Sequence, residues 1–290
     1  LRSEHLPAIQ VRVLVTGSSG RVASRIASDL EARDDKVVTY DLAEGNDILD
    51  PVALLAAMQG CDALVHSAAV LGDDGESDSD VMAANVQGTW NVLSAARKTD
   101  VRRVVFMSSV NALGIFKGER SPDYLPIDDD HPCTPGTPYG ISKHVAEQMC
   151  RLFAFSTDVS VICLRPPAVW TEEMLPSNFS RPSGPLKSER SPIWEYGAFI
   201  DVRDLSQACI CALTCEIDRF ACLLVAAADV YTSGPTSKAL ADCLKPDVEW
   251  RGGADFEADP FRSLVTTDKA RQVLGWAPIH SWKSLLDGSP

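Results

Sequence analysis

Val11-Arg12-Val13-Leu14-Val15 runs without interruption into Thr16-Gly17-Ser18-Ser19-Gly20-Arg21-Val22-Ala23. A β-branched run, a glycine turn and then a helical pattern predict strand, tight turn and helix in that order, which is the context a phosphate-cradling loop requires. Gly17 permits the turn, Gly20 lets the backbone approach a pyrophosphate, and Ala23 stands where the helix must lie close to the strand. Ser19, Arg21 and Val22 complete the candidate phosphate loop.

Outward from this stretch, short apolar runs alternate with helical patterns. Strands are expected at Val11–Val15, Lys36–Tyr40, Ala63–His66, Arg103–Met107, Val159–Leu164 and Cys222–Ala226, and helices at Arg21–Arg33, Pro51–Gln59, Val81–Lys98, Pro138–Phe155, Val202–Thr214 and Thr267–Leu274. The alternation predicts an α/β fold: a Rossmann-type, doubly wound parallel sheet. A small C-terminal substrate-binding cap is expected beside it. The NAD-binding part is expected to span residues 11–167 and 198–228, and the cap residues 168–197 and 229–290. Gly114–Pro138 and Pro166–Ala198 break the rhythm and read as substrate-binding loops.

At 290 residues the chain can bury a large core. Its 40 acidic and 27 basic residues leave a net charge of −13, a field that disfavours nucleic acid and anionic membranes as partners. Nine scattered cysteines without C-x-x-C spacing read as free thiols in a reducing, cytoplasmic setting. No apolar run approaches the roughly 20 residues of a membrane span, and Leu1–Gln10 shows no signal-peptide pattern.

The second strand ends at Asp41, 24 residues after Gly17. A carboxylate there can accept from both hydroxyls of an adenosine ribose and repel a 2′-phosphate, favouring NAD over NADP. Arg21 pulls the other way, since a guanidinium can pair with a phosphate.

Tyr139 and Lys143 share one helical face four residues apart, so an ammonium can stabilise a phenolate beside it. Lowering a phenol pKa by about 3 units takes roughly 4 kcal/mol of differential stabilisation. Ser109 follows the apolar run Arg103–Met107 and is expected at the carboxyl end of a central strand, where open α/β sheets place their chemistry. These three form the candidate acid–base site.

With these residues in hand, the chain resembles the extended short-chain dehydrogenase/reductase family, also called the NAD-dependent epimerase/dehydratase family. The resemblance implies an NAD-dependent enzyme of the short-chain type. It places Asp47 and Ile48 near an adenine, His66-Ser67-Ala68-Ala69 along the cofactor, and Asn85 on a central helix, where it fixes a helix irregularity or holds a water. Leu164-Arg165-Pro166-Pro167 resembles the nicotinamide-side turn, with Ala168 and Val169 following it. Many nucleotide-sugar epimerases of the family carry an Arg two residues before the aromatic matching Phe199; Gly197 stands there. That departure shifts the expectation toward a dehydrogenase.

Ser108–Phe116 is partly similar to the serine segment of uronate and aldose dehydrogenases, and the resemblance extends the substrate side to Ser109, Val110, Asn111, Tyr139 and Arg165. Trp170, Phe179, Trp194 and Tyr196 offer aromatic faces for a sugar. The expected activity is hydride transfer between nicotinamide and a secondary alcohol or carbonyl of a small substrate, such as a sugar or sugar acid. An epimerase or dehydratase with retained NAD, and a non-catalytic NAD-sensing binder, remain as alternatives. Similar proteins pair as homodimers through helices matching Val81–Lys98 and Pro138–Phe155. Asp128-Asp129-Asp130-His131 reads as a solvated loop, and no metal is expected.

Overall fold

A computed structural model describes residues 10–72, 75–117, 119–171, 173–174, 196–231 and 236–282. The central sheet contains β1 (Arg12–Thr16), β2 (Lys36–Tyr40), β3 (Ala63–His66), β4 (Arg103–Met107), β6 (Ser160–Arg165) and β9 (Phe220–Leu224), the intervening numbers belonging to short strands given below. Its strand order is β2-β1-β3-β4-β6-β9, and every pairing is parallel. Winding therefore reverses at β1, and a crevice opens between the carboxyl ends of β1 and β3, where such sheets bind ligands.

Side-chain alternation along β1 builds three layers. Val13 and Val15 join Ile26 and Leu30 of α1 (Arg21–Glu31) and Leu205 of the helix Val202–Thr214 in one apolar cluster. Leu14 faces the other way. It joins Leu54 of α2 (Pro51–Ala57), Leu93 of α4 (Thr89–Ala96) and Phe153 of α5 (Pro138–Ser156). Both sheet faces are thus covered by helices, as an all-parallel sheet requires. Among the described residues no helix is long and apolar enough to cross a membrane.

The single helix expected over Val81–Lys98 is instead α3 (Asp78–Met82), a π-helical stretch Ala83–Gly88 and then α4. Asn85 sits in the widened turn. Its Oδ1 accepts from the Val70 N–H at 2.8 Å, and its Nδ2 donates to the Val70 carbonyl at 2.8 Å and to Ser142 Oγ at 3.0 Å. The irregularity thereby joins the loop after β3 to α5.

Two small parallel pairs, absent from the sequence expectation, sit outside the main sheet: β5 (Tyr124–Leu125) with β10 (Glu249–Trp250), and β7 (Ala168–Trp170) with β8 (Phe199–Asp201). Leu113, Phe116 and Leu125, expected in the cofactor-binding part, pack in a third cluster with Leu240, Leu264 and Val265.

The loop Asp128–His131 is solvated only in part, with Asp130 exposed and Asp128 and Asp129 half-buried. His131 is buried, with its Nε2 accepting from the Asp123 N–H at 3.0 Å, and Asp129 Oδ1 accepts the Leu224 N–H at the end of β9. Burial pushes the Asp129 carboxyl up to about 6. Asp129 thus satisfies one N–H of the edge strand β9, a role that local polarity does not reveal.

Candidate active site

The crevice at the switch point is a cleft of about 770 Å³. Gly17 turns the chain there with φ +70°, and a Cβ on it would lie 2.7 Å from the Ala68 backbone. The turn is therefore glycine for two reasons, conformation and close approach. Gly20 caps α1 without a side-chain bond, leaving first-turn N–H groups open toward the cleft. Ser19, Arg21, Val22 and Ala23 line the same wall. Asp41 closes it, with Oδ2 accepting from the Ser19 N–H at 3.0 Å and Oδ1 from the Ala43 N–H at 2.8 Å. Ser67, Ala68 and Ala69 form the floor, and Pro166, Ala168 and Val169 the opposite side.

These features meet the needs of a dinucleotide: open backbone donors for a pyrophosphate, a carboxylate at the tip of β2, and small residues that leave room. Asp47 Oδ1 accepts from the Leu49 N–H at 2.8 Å, and Ile48 is buried against Gly88. His66 is withdrawn from the cleft: its Nδ1 lies 2.7 Å from Thr16 Oγ1 and its Nε2 3.0 Å from Thr89 Oγ1. Burial, helped by the charge of Lys143, pushes its pKa down to about 3, so it serves as a neutral strut.

Ser109, Tyr139 and Lys143 line the cleft together. Ser109 follows β4 and caps the 3₁₀ turn Val110–Leu113, its Oγ accepting from the Asn111 N–H at 3.1 Å. Val110 and Asn111 lie beside it on the wall. Thr137 caps α5 by accepting from the Gly140 N–H, and Pro138 occupies the first turn. A Cβ on Gly140 would sit 2.7 Å from the Asn111 carbonyl oxygen, so glycine beside Tyr139 lets the helix start press against the serine turn. Tyr139 is half-buried, and Lys143 Nζ stands 5.6 Å from its ring centroid. Lys143 itself is buried and donates to the Met107 carbonyl at 2.8 Å. Burial pulls its pKa down to about 8, with Glu147 opposing the fall.

Several expected substrate residues are spent elsewhere. Arg165 makes a two-pronged pair with Glu147, Nε to Oε1 at 2.8 Å and Nη2 to Oε2 at 2.7 Å, and does not line the cleft. A guanidinium buried behind the strand needs that partner, so it is not left to clamp a substrate acid. Trp170 stacks on Phe199 at 4.6 Å and meets Tyr231 edge-on, while Tyr196 packs edge-on against Phe116 and donates to the Ile115 carbonyl. Phe179 and Trp194 lie outside the described residues. Leu71, Met107 and Lys117 line the cleft unforeseen: Leu71 and Lys117 lie in loops, which carry no periodicity that marks a facing side chain, and Met107 ends a strand buried on both faces. Glu147 was also missed, although a carboxylate four residues after Lys143 on a buried helix face was its signal. Among the described residues no cluster of three or more His, Cys, Asp or Glu could hold a metal ion.

Comparison with known proteins agrees with this geometry. The chain is 26% identical over 330 residues to the UDP-glucose 4-epimerase of Rhizobium meliloti, covering 96% of this chain and 95% of that protein. It is 33% identical over 168 residues to the L-arabinose 1-dehydrogenase (NAD(P)(+)) of Haloferax volcanii, covering 53% and 65%. The fold matches a short-chain dehydrogenase/reductase superfamily protein from Agrobacterium tumefaciens, solved with bound NAD, with TM-score 0.72, 22% identity and 95% of each chain covered. The family profile described as NAD dependent epimerase/dehydratase matches residues 13–218, and with the glycine turn, Asp41 and the tyrosine–lysine helix around one cleft, the chain belongs to the NAD-dependent epimerase/dehydratase family.

Proposed function

We propose that this protein is an NAD(H)-dependent oxidoreductase acting on a secondary alcohol or carbonyl of a small substrate such as a sugar. The observation that carries the reading is that Ser109, Tyr139 and Lys143 open onto the cleft that Gly17, Gly20 and Asp41 also line. Bound nicotinamide supplies the hydride acceptor or donor. Ser109 Oγ orients and polarises the substrate oxygen, Tyr139 takes its proton during oxidation, and Lys143 stabilises the resulting phenolate. In reduction Tyr139 returns the proton. Asp41 holds the adenosine ribose and the open N–H groups of α1 hold the pyrophosphate, favouring NAD over NADP.

A net dehydrogenase is favoured over a nucleotide-sugar epimerase by position 197. Gly197 has φ +66°, and a Cβ there would lie 2.3 Å from Val230 Cγ2, so the chain is built without a side chain at that point. The full-length likeness to an epimerase supports the second reading, in which NAD stays bound and the hydride returns to the substrate. A homodimer fits the outer faces of α4 and α5, where Trp90, Leu152 and Phe155 are 51%, 70% and 60% exposed.

NADH absorbance across aldoses, uronates and simple alcohols tests the proposal. Turnover with free NADH is expected. Tyr139→Phe is expected to lower it by about 10²–10⁴-fold with NAD affinity unchanged. Cofactor that copurifies and never appears as free NADH favours the epimerase, and a fully active Tyr139→Phe sinks the assigned base.

A further inference from the structure

Lys143 is only 3% exposed and is enclosed by groups from its own helix and three strands. From its own helix Tyr139, Glu147 and Cys150 act on it, from β3 His66, from β4 the Phe106 ring at 5.0 Å and the Met107 carbonyl, and from β6 Cys163. His66 is neutral at ordinary pH, and burial pushes the Cys163 thiol well up. Glu147 is the carboxylate in this set. It is 1% exposed, and both its oxygens are bonded: Ser108 Oγ donates to Oε1 at 2.6 Å, Arg165 Nε to Oε1 and Arg165 Nη2 to Oε2, with His144 Nδ1 3.9 Å from Oε2. Ser108 precedes Ser109, so one carboxylate holds the serine end of β4 against the helix that carries Tyr139 and Lys143.

We propose that Glu147 is a positioning residue: it supplies the buried charge that keeps Lys143 an ammonium, and through Ser108 it fixes the serine turn relative to Tyr139. The proposal rests on the acid–base reading above for its catalytic meaning, and for its electrostatics on the placement of Glu147 one helical turn after Lys143 on the same buried face of α5. An isolated ammonium in an apolar interior sheds its proton, and an opposite charge nearby reverses that tendency. Arg165 in turn holds the carboxylate in place. Gln at position 147 keeps the shape and an acceptor for Ser108, and removes the charge.

The test reads the charge on Lys143 directly. Protein labelled with [ε-¹³C]lysine is titrated without cofactor, and the Lys143 signal is assigned by its absence in Lys143→Met. The wild-type midpoint is expected near 8. Glu147→Gln is expected to lower it by about 1–3 pH units, while Glu147→Asp retains most of the wild-type value. Glu147→Gln/Arg165→Gln removes both charges, guards against unfolding by an unpaired guanidinium, and is expected to move the midpoint the same way. A folded Glu147→Gln or double variant that titrates as wild type overturns the proposal. An inactive wild-type protein across the substrate panel speaks against the acid–base reading instead, because the titration needs no turnover.

Discussion

The ammonium of Lys143 donates to the main-chain carbonyl of Met107 at 2.8 Å, which ties the helix bearing Tyr139 to the strand end bearing Ser109. Lys143→Met removes that tie and the charge together. Two stability effects oppose: a buried ammonium no longer needs desolvating, while the Met107 carbonyl loses its donor at about 1–3 kcal/mol. Unfolding free energy is expected within about 2 kcal/mol of wild type, while turnover falls by about 100-fold or more. Urea denaturation beside steady-state rates checks the split; loss of both together would make Lys143 merely structural.

Asp41 bonds the Ser19 and Ala43 N–H groups, so it shapes the glycine turn as well as facing the cleft. Asp41→Asn keeps an oxygen for one of these N–H groups, gives up the other bond, and removes the charge that repels a 2′-phosphate. The ratio of kcat/KM for NADP to that for NAD is expected to rise about 10-fold or more, equivalent to roughly 1.4 kcal/mol. An unchanged ratio would remove Asp41 from cofactor selection.

The Asp129 carboxyl, raised to about 6 by burial, makes a pH-dependent stability prediction with a definite sign. Its folded pKa exceeds the unfolded value near 4. Stability from this group is therefore fully present below about pH 4 and is lost as pH rises through 6. Asp129→Asn keeps an acceptor for the Leu224 N–H without the buried charge. At pH 8 it is expected to be more stable than wild type by on the order of 1–3 kcal/mol, the gap closing toward pH 4. Denaturant midpoints at pH 8, 6 and 4.5 decide it, and a gap that widens in acid refutes the assignment.

Leu152 and Phe155 project from α5 at 70% and 60% exposure. With the homodimer proposed above, Leu152→Glu/Phe155→Glu is expected to convert dimer to monomer in sedimentation at micromolar concentration, because two carboxylates per copy would be buried unpaired. Wild-type protein that sediments as a monomer would dismiss this surface as an interface.

How far the sequence could be read depended on whether a pattern was local. Lys36–Tyr40, Ala63–His66 and Arg103–Met107 were placed to the residue, because short β-branched runs between helical segments leave little choice of register. Val81–Lys98 was read as one helix, since its apolar spacing hides the π turn that Asn85 bonds into place from Val70 and Ser142. The acidic run at Asp128–His131 looked solvated because its partners, Leu224 and Asp123, are supplied by the fold.

By itself the sequence determined the parallel α/β layering, from the alternation of strand and helix patterns, and the glycine turn and the pairing of Tyr139 with Lys143, from spacing within one turn or helix. Only the tertiary structure decided what the long-range partners would do. It turned Arg165 onto Glu147, packed Trp170 against Phe199 and withdrew His66 between Thr16 and Thr89. The reason is physical: a buried charge, ring or imidazole takes whichever partner the closed sheet and its helices bring within reach, and that proximity is not written in the residues beside it.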